Sequence, residues 1–142
     1  MTYRHLLVER SDDRHVVTVT LNRPEQMNAL NTAMGEDLLA CFTALAGDPE
    51  ARAIVFTGSG DKAFCAGGDL KERNGMTDEA WRAQHVIFEQ GAMRVLRCPM
   101  LDASFAADSA RGNGAAISTS CRVRTRQRHL QFQWPYFLNL FS

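Results

Sequence analysis

The sequence predicts a layered α/β fold, a β-β-α unit followed by another strand and another helix. Three observations lead there. β-branched residues alternate through His15 to Leu21, and apolar residues recur at helical spacing through Met34, Leu38, Phe42 and Leu45. A glycine-bearing loop then joins the next short strand to more helix.

Tyr3 to Glu9 and His15 to Leu21 read as a hairpin across the turn-rich Arg10-Ser11-Asp12-Asp13-Arg14. In the second strand Val16, Thr18 and Thr20 share one face, and Val17, Val19 and Leu21 share the other. Asn22-Arg23-Pro24-Glu25 ends it, because proline has no N–H to offer a ladder. A helix starts after Asn31, a good N-cap, and Gly47 before Asp48-Pro49 stops it. Ala53 to Thr57 is a short buried strand running into the turn Gly58-Ser59-Gly60-Asp61. Thr77 caps the last long helix, with Asp78 and Glu79 complementing its dipole. Trp81, His85, Phe88, Ala92 and Val95 form its expected apolar stripe, with His85 a packed or edge histidine rather than a ligand.

At 142 residues there is room for one domain. No apolar run approaches the roughly 20 residues that cross a bilayer, and Met1 to Leu6 lack the apolar core of a secretory signal. The expected location is cytoplasmic. Cys41, Cys65, Cys98 and Cys121 are scattered, with no paired spacing, and read as reduced, mostly buried thiols rather than a disulfide framework or a metal site. Net charge is zero but uneven. Residues 1–100 hold 11 basic and 14 acidic side chains, whereas 101–142 hold 5 and 2, so the two parts differ in character.

The segment richest in chemistry is Phe64-Cys65-Ala66-Gly67-Gly68-Asp69-Leu70-Lys71. Small residues at 66–68 let main chain approach a ligand, and backbone N–H groups at a helix start can hold anionic oxygen. It is neither a P-loop nor a G-x-G-x-x-G fingerprint. Taken alone, it reads first as a tight strand-to-helix turn.

Its flanks change that. Val19-Thr20-Leu21-Asn22-Arg23-Pro24-Glu25-Gln26-Met27-Asn28-Ala29-Leu30, Ala53-Ile54-Val55-Phe56-Thr57-Gly58 and Lys62-Ala63-Phe64-Cys65-Ala66-Gly67-Gly68-Asp69-Leu70 together resemble the enoyl-CoA hydratase/isomerase (crotonase) family, over residues 3–100. The resemblance implies a crotonase-like (ClpP/crotonase) spiral of β-β-α units, with residues 1–100 as its core. It implies an acyl-CoA substrate, with coenzyme A as part of that substrate and no separate cofactor. A lyase or isomerase of fatty acid metabolism is the corresponding activity, and a homotrimer or hexamer the corresponding assembly.

Residue by residue, the resemblance places Glu25, Gln26, Met27 and Ala29 at the nucleotide end of coenzyme A. Ala66, Gly67, Asp69 and Leu70 would hold adenine and pantetheine through main-chain groups. The Gly68 N–H would be one donor to the thioester oxygen. A second donor is expected at Asn113, where Ala110-Arg111-Gly112-Asn113-Gly114-Ala115-Ala116-Ile117 falls into step with the family's glycine-rich helix start.

After Pro99 the likeness weakens, and residues 101–142 read as a divergent, truncated continuation of the same domain. Leu101-Asp102-Ala103-Ser104-Phe105-Ala106-Ala107-Asp108-Ser109 is a poor buried strand. The family's two proton-transferring glutamates fall at Ala116 and Tyr136. Alanine cannot move a proton, and tyrosine, with a usual pKa near 10, is a poor base at neutral pH. Two non-hydratase readings therefore stand beside the first: an inactive remnant that keeps partial coenzyme A binding, and a polyanion-binding module using Arg122, Arg124, Arg126 and Arg128. One short basic run in a neutral chain reads better as a solvated edge than as a nucleic-acid site.

Overall fold

A computed structural model describes residues 2–98 of the chain; the expectations for Asn113, Ala116, Tyr136 and the arginines at 122–128 lie outside the described residues. Strands β1 (Leu6–Arg10), β2 (Val16–Leu21) and β3 (Ala53–Gly58) form one sheet in that order. β1 runs antiparallel to β2, with Leu6 opposite Leu21 and Arg10 opposite Val17. β3 runs parallel to β2, with Val16 beside Ala53 and Leu21 beside Gly58. Helix α1 (Thr32–Ala46) makes the crossover that a parallel pair requires.

The first strand begins later than the sequence pattern indicates, at Leu6 rather than Tyr3. Its partner runs out at Leu21, ahead of Pro24. His5 then turns to other partners: its N–H donates to Asp37 Oδ2 at 2.8 Å, and its carbonyl accepts from Asn22 at 2.8 Å. β2 alternates as expected, with Val17, Val19 and Leu21 essentially inaccessible. They meet Ile54 and Phe56 of β3 and Met34, Phe42 and Leu45 of α1 in one apolar core. Asn31 caps α1 by accepting the Met34 N–H at 2.9 Å, and Gly47 closes it.

A single-turn helix α2 (Leu70–Arg73) follows the glycine loop, and α3 (Asp78–Leu96) follows α2. Thr77 caps α3 by accepting the Ala80 N–H at 3.2 Å. The apolar stripe expected on α3 needs correction. Its buried face is Gln84, Phe88, Gly91 and Val95, whereas Trp81 is exposed and its ring lies on His85 with centroids 3.8 Å apart. Hydrophobic periodicity misses this face because two of its members are not hydrophobic by type. Gly91 packs beside the α1 backbone at Gly35 and Leu39, and Gln84 brings hydrogen bonds with it. Its Nε2 donates to Thr32 Oγ1 at 2.8 Å and to Glu72 Oε2 at 2.9 Å. Where α1 and α3 cross, a Cβ on Gly35 would lie only 2.5 Å from Phe88 Cε1, so the bare glycine lets the Phe88 ring seat against α1. Among the described residues, no helix is long and apolar enough to cross a membrane.

Candidate functional site

The glycine loop is anchored at its start by aromatic packing. Phe64 is buried and stands edge-on to Phe56, which stands edge-on to Phe42, with centroids 5.3 and 5.4 Å apart. Such T-shaped pairs set a positive ring edge against a negative face. Cys65 beside it is buried too, and burial pushes its thiol up to about 11 against the small opposing effect of the Gly67 carbonyl. A thiol held neutral and inaccessible is packing, not a nucleophile.

Gly67 adopts φ 101°, the left-handed region where side chains are strained, and so turns the chain. Gly68 then forms a single parallel bridge with Leu30. The Leu30 N–H donates to Gly67 O at 2.7 Å, and its carbonyl accepts from Asp69 N at 2.8 Å. In a parallel pairing of this kind the partner bonds the residues on either side of Gly68, and the N–H of Gly68 itself points away from Leu30. Among the described residues that N–H donates to no acceptor. The loop thus presents one fixed backbone donor whose direction is set by hydrogen bonds to both neighbours.

Two polar residues hold this arrangement. Asn28 is fully buried in a left-handed conformation, φ 54°. Its Oδ1 accepts the Arg23 N–H at 2.9 Å, while its Nδ2 donates to Ser59 O at 2.8 Å and Ala63 O at 3.0 Å. Arg23, also buried, donates to Ala29 O at 2.6 Å and to Asp69 Oδ2 at 3.0 Å. Asp69 caps α2 through the N–H groups of Lys71 and Glu72. Burial alone would raise the Asp69 carboxyl. The Arg23 hydrogen bond and charge, together with the α2 amides, outweigh burial and hold it below the usual carboxylate range.

The residues expected along coenzyme A come together in two strips. Glu25 and Gln26 lie in a short 3-10 turn (Pro24–Gln26), exposed like Met27, while Ala29 is half-buried. The Ala66 N–H donates to Met27 O at 3.0 Å, which lays that strip beside Ala66, Gly67, Asp69 and Leu70. Ala66 and Leu70 face solvent. The Asp69 side chain is committed to Arg23 and the α2 cap, leaving its main chain as the part able to meet a ligand. Arg23, Asn28 and Arg73 were not singled out from the sequence. Asn28 carried a signal, since asparagine tolerates left-handed backbone, but the partners of Arg23 and Arg73 depend on contacts across the fold.

The described residues thus form a three-stranded sheet packed with α1, beside which a glycine turn directs a backbone N–H away from its own pairing partner. The comparisons with known proteins identify the family. The family model for enoyl-CoA hydratase/isomerase matches residues 11–137, and the chain belongs to that family. A probable enoyl-CoA hydratase of Mycobacterium bovis is 37% identical over 135 residues, covering 95% of this chain and 51% of that protein. The short-chain-enoyl-CoA hydratase of Clostridium acetobutylicum is 28% identical over 137 residues, again 95% of this chain and 51% of its own length. Among solved structures, enoyl-CoA hydratase from Bacillus anthracis superposes with a TM-score of 0.66 at 36% identity, over 70% of this chain and 39% of that one. The Mycobacterium smegmatis enzyme gives 0.64 at 40% identity, with the same coverage. The fold is that of the crotonases. The chain spans about half the length of the curated relatives it matches.

Proposed function

We propose that the chain binds acyl-CoA thioesters and hydrates 2-enoyl-CoA, with the Gly68 N–H as one donor to the thioester oxygen. The observation that carries this reading is the Gly68–Leu30 bridge, which leaves the Gly68 N–H without an acceptor among the described residues, beside a loop that tolerates close approach. As water adds to the conjugated double bond, negative charge builds on the thioester oxygen. A donor already aimed at that oxygen lowers the barrier, by roughly 3–4 kcal/mol in comparable oxyanion holes. Asn113 is the proposed second donor. The strips at 25–29 and 66–70 are the proposed contacts for coenzyme A, and a trimer or hexamer is the proposed assembly.

A second reading has its own support. The positions that correspond to the family's two glutamates carry Ala116 and Tyr136, so binding without turnover is the alternative. One experiment separates them. Mixed with a 2-enoyl-CoA, the protein should bleach the conjugated-thioester absorbance if it hydrates. Unchanged absorbance, with coenzyme A raising Tm, supports binding alone. If coenzyme A leaves Tm unchanged as well, both readings fail.

A further inference from the structure

Leu30 and Gly68, the bridged pair, are each followed by an N-cap. Asn31 caps α1 and Asp69 caps α2, so the two strips turn into helices at the same step. Past that step a side chain still ties them. Glu72 Oε2 in α2 accepts the Thr32 N–H at 2.9 Å, and the same oxygen accepts Gln84 Nε2 of α3 at 2.9 Å. Thr32 is the first residue of α1, so its N–H has no partner within the helix, and a carboxylate there also meets the positive end of the helix dipole. Gln84 is only 1% exposed, an amide set inside the face between α1 and α3. Its Nε2 also donates to Thr32 Oγ1, which holds the amide with nitrogen toward the carboxylate; turned over, it would set oxygen against oxygen.

We propose that Glu72, held by Gln84, is a positioning residue for the Gly68 N–H; the proposal rests on the reading of that N–H as the thioester-oxygen donor. In a trans peptide the carbonyl and the N–H point opposite ways, so the Gly67 carbonyl, fixed by the Leu30 N–H, aims the Gly68 N–H. Leu30 is therefore the reference for the donor, and its place against the loop depends on what joins residues 30–32 to residues 67–72. α2 has a single turn, too short to hold its own direction. Asp69 fixes the start of that turn, and Glu72 fastens it to α1 and α3. Without Glu72 the two strips can part beyond the bridge, and a hydrogen bond weakens steeply as its donor swings off line. The strips proposed for coenzyme A are joined by other bonds, from Arg23 to Asp69 and from the Ala66 N–H to Met27 O. Glu72 should thus govern the grip on the thioester carbonyl rather than on the coenzyme.

The test uses the full chain with free coenzyme A and with butanoyl-CoA isotope-labelled at the thioester carbonyl, which has no double bond to hydrate. Binding to wild type should lower the carbonyl stretching frequency in isotope-edited infrared spectra, and calorimetry should show butanoyl-CoA binding more tightly than coenzyme A. Glu72→Ala should lose most of the frequency shift and narrow that affinity margin by about threefold to tenfold, with the affinity for free coenzyme A unchanged. Glu72→Gln, which keeps an acceptor for both donors, should restore shift and margin. Gln84→Leu should move both in the same direction as Glu72→Ala, and it decides the matter if Glu72→Ala does not fold. A shift and a margin that stay at wild-type values in the deciding variant, whatever its Tm, show a structural role and overturn the proposal alone. Wild type that binds butanoyl-CoA without a frequency shift overturns the donor reading and this inference with it.

Discussion

Arg23 and Asp69 stand 46 residues apart in sequence and 3.0 Å apart in space, both largely withdrawn from water. This pair ties the turn after β2 to the cap of α2 and so fixes the loop between them. Arg23→Met would strip Asp69 of its counter-charge and Ala29 O of its donor, at a cost of roughly 2–4 kcal/mol in urea denaturation.

The same pair sets an acid limit. The Asp69 carboxyl titrates lower in the fold than in the unfolded chain, so its contribution is complete above the unfolded value of about 4 and disappears as pH falls through the folded value. Asp69→Asn should therefore be less stable than wild type at neutral pH, and the gap should close below about pH 4. Urea midpoints measured from neutral pH downward check this; a gap that stays constant would show that the charge is not what matters.

Gly67 and Gly68 should respond differently to alanine. Gly67 has φ 101°, and Gly67→Ala should lose about 1–3 kcal/mol of stability and weaken coenzyme A binding, because the turn that aims the Gly68 N–H becomes strained. Gly68 lies outside the left-handed region, so Gly68→Ala should fold with a smaller loss, its Cβ meeting side-chain atoms of Arg73 rather than backbone. Thermal melts with and without coenzyme A distinguish the two.

Gly35→Ala should be among the more damaging single-methyl changes in the chain. The new Cβ would meet Phe88 ring carbons at 2.5 and 2.6 Å, in a helix pair with little freedom to part. Overpacking of this kind costs about 1–3 kcal/mol, readable as a lower urea midpoint with an unchanged m-value.

The thiols of Cys41 and Cys65 should resist modification in the native protein. Burial lifts both to about 11 and withholds them from reagent. Alkylation at mildly alkaline pH, mapped by mass spectrometry, should leave both unlabelled until urea is added. Rapid native labelling of Cys65 would place it on an open surface and contradict the packing of the loop.

Much of the fold was legible before any coordinates. The alternation in β2, the caps at Asn31 and Thr77 and the stop at Gly47 are local, written in residues a few positions apart. What failed was also physical in origin. The start of β1 depends on where its partner ends, and the buried face of α3 depends on Gly91 and Gln84, whose fitness for a core comes from the neighbouring helix. Within the site, the motif at 64–71 marked the loop. It did not show that Gly67 bends the chain while Gly68 leaves room for Arg73.

By itself, then, the sequence determined the layered α/β plan, the helix ends and the family, because these rest on periodicity, capping and motif order along the chain. Only the tertiary structure decided that the Gly68 N–H meets no acceptor among the described residues and that Arg23 neutralises Asp69. Those are relations between segments distant in sequence. The pairing of Leu30 with Gly68 and the crossing of α1 with α3 bring them together, and neither is encoded in any single stretch of the chain.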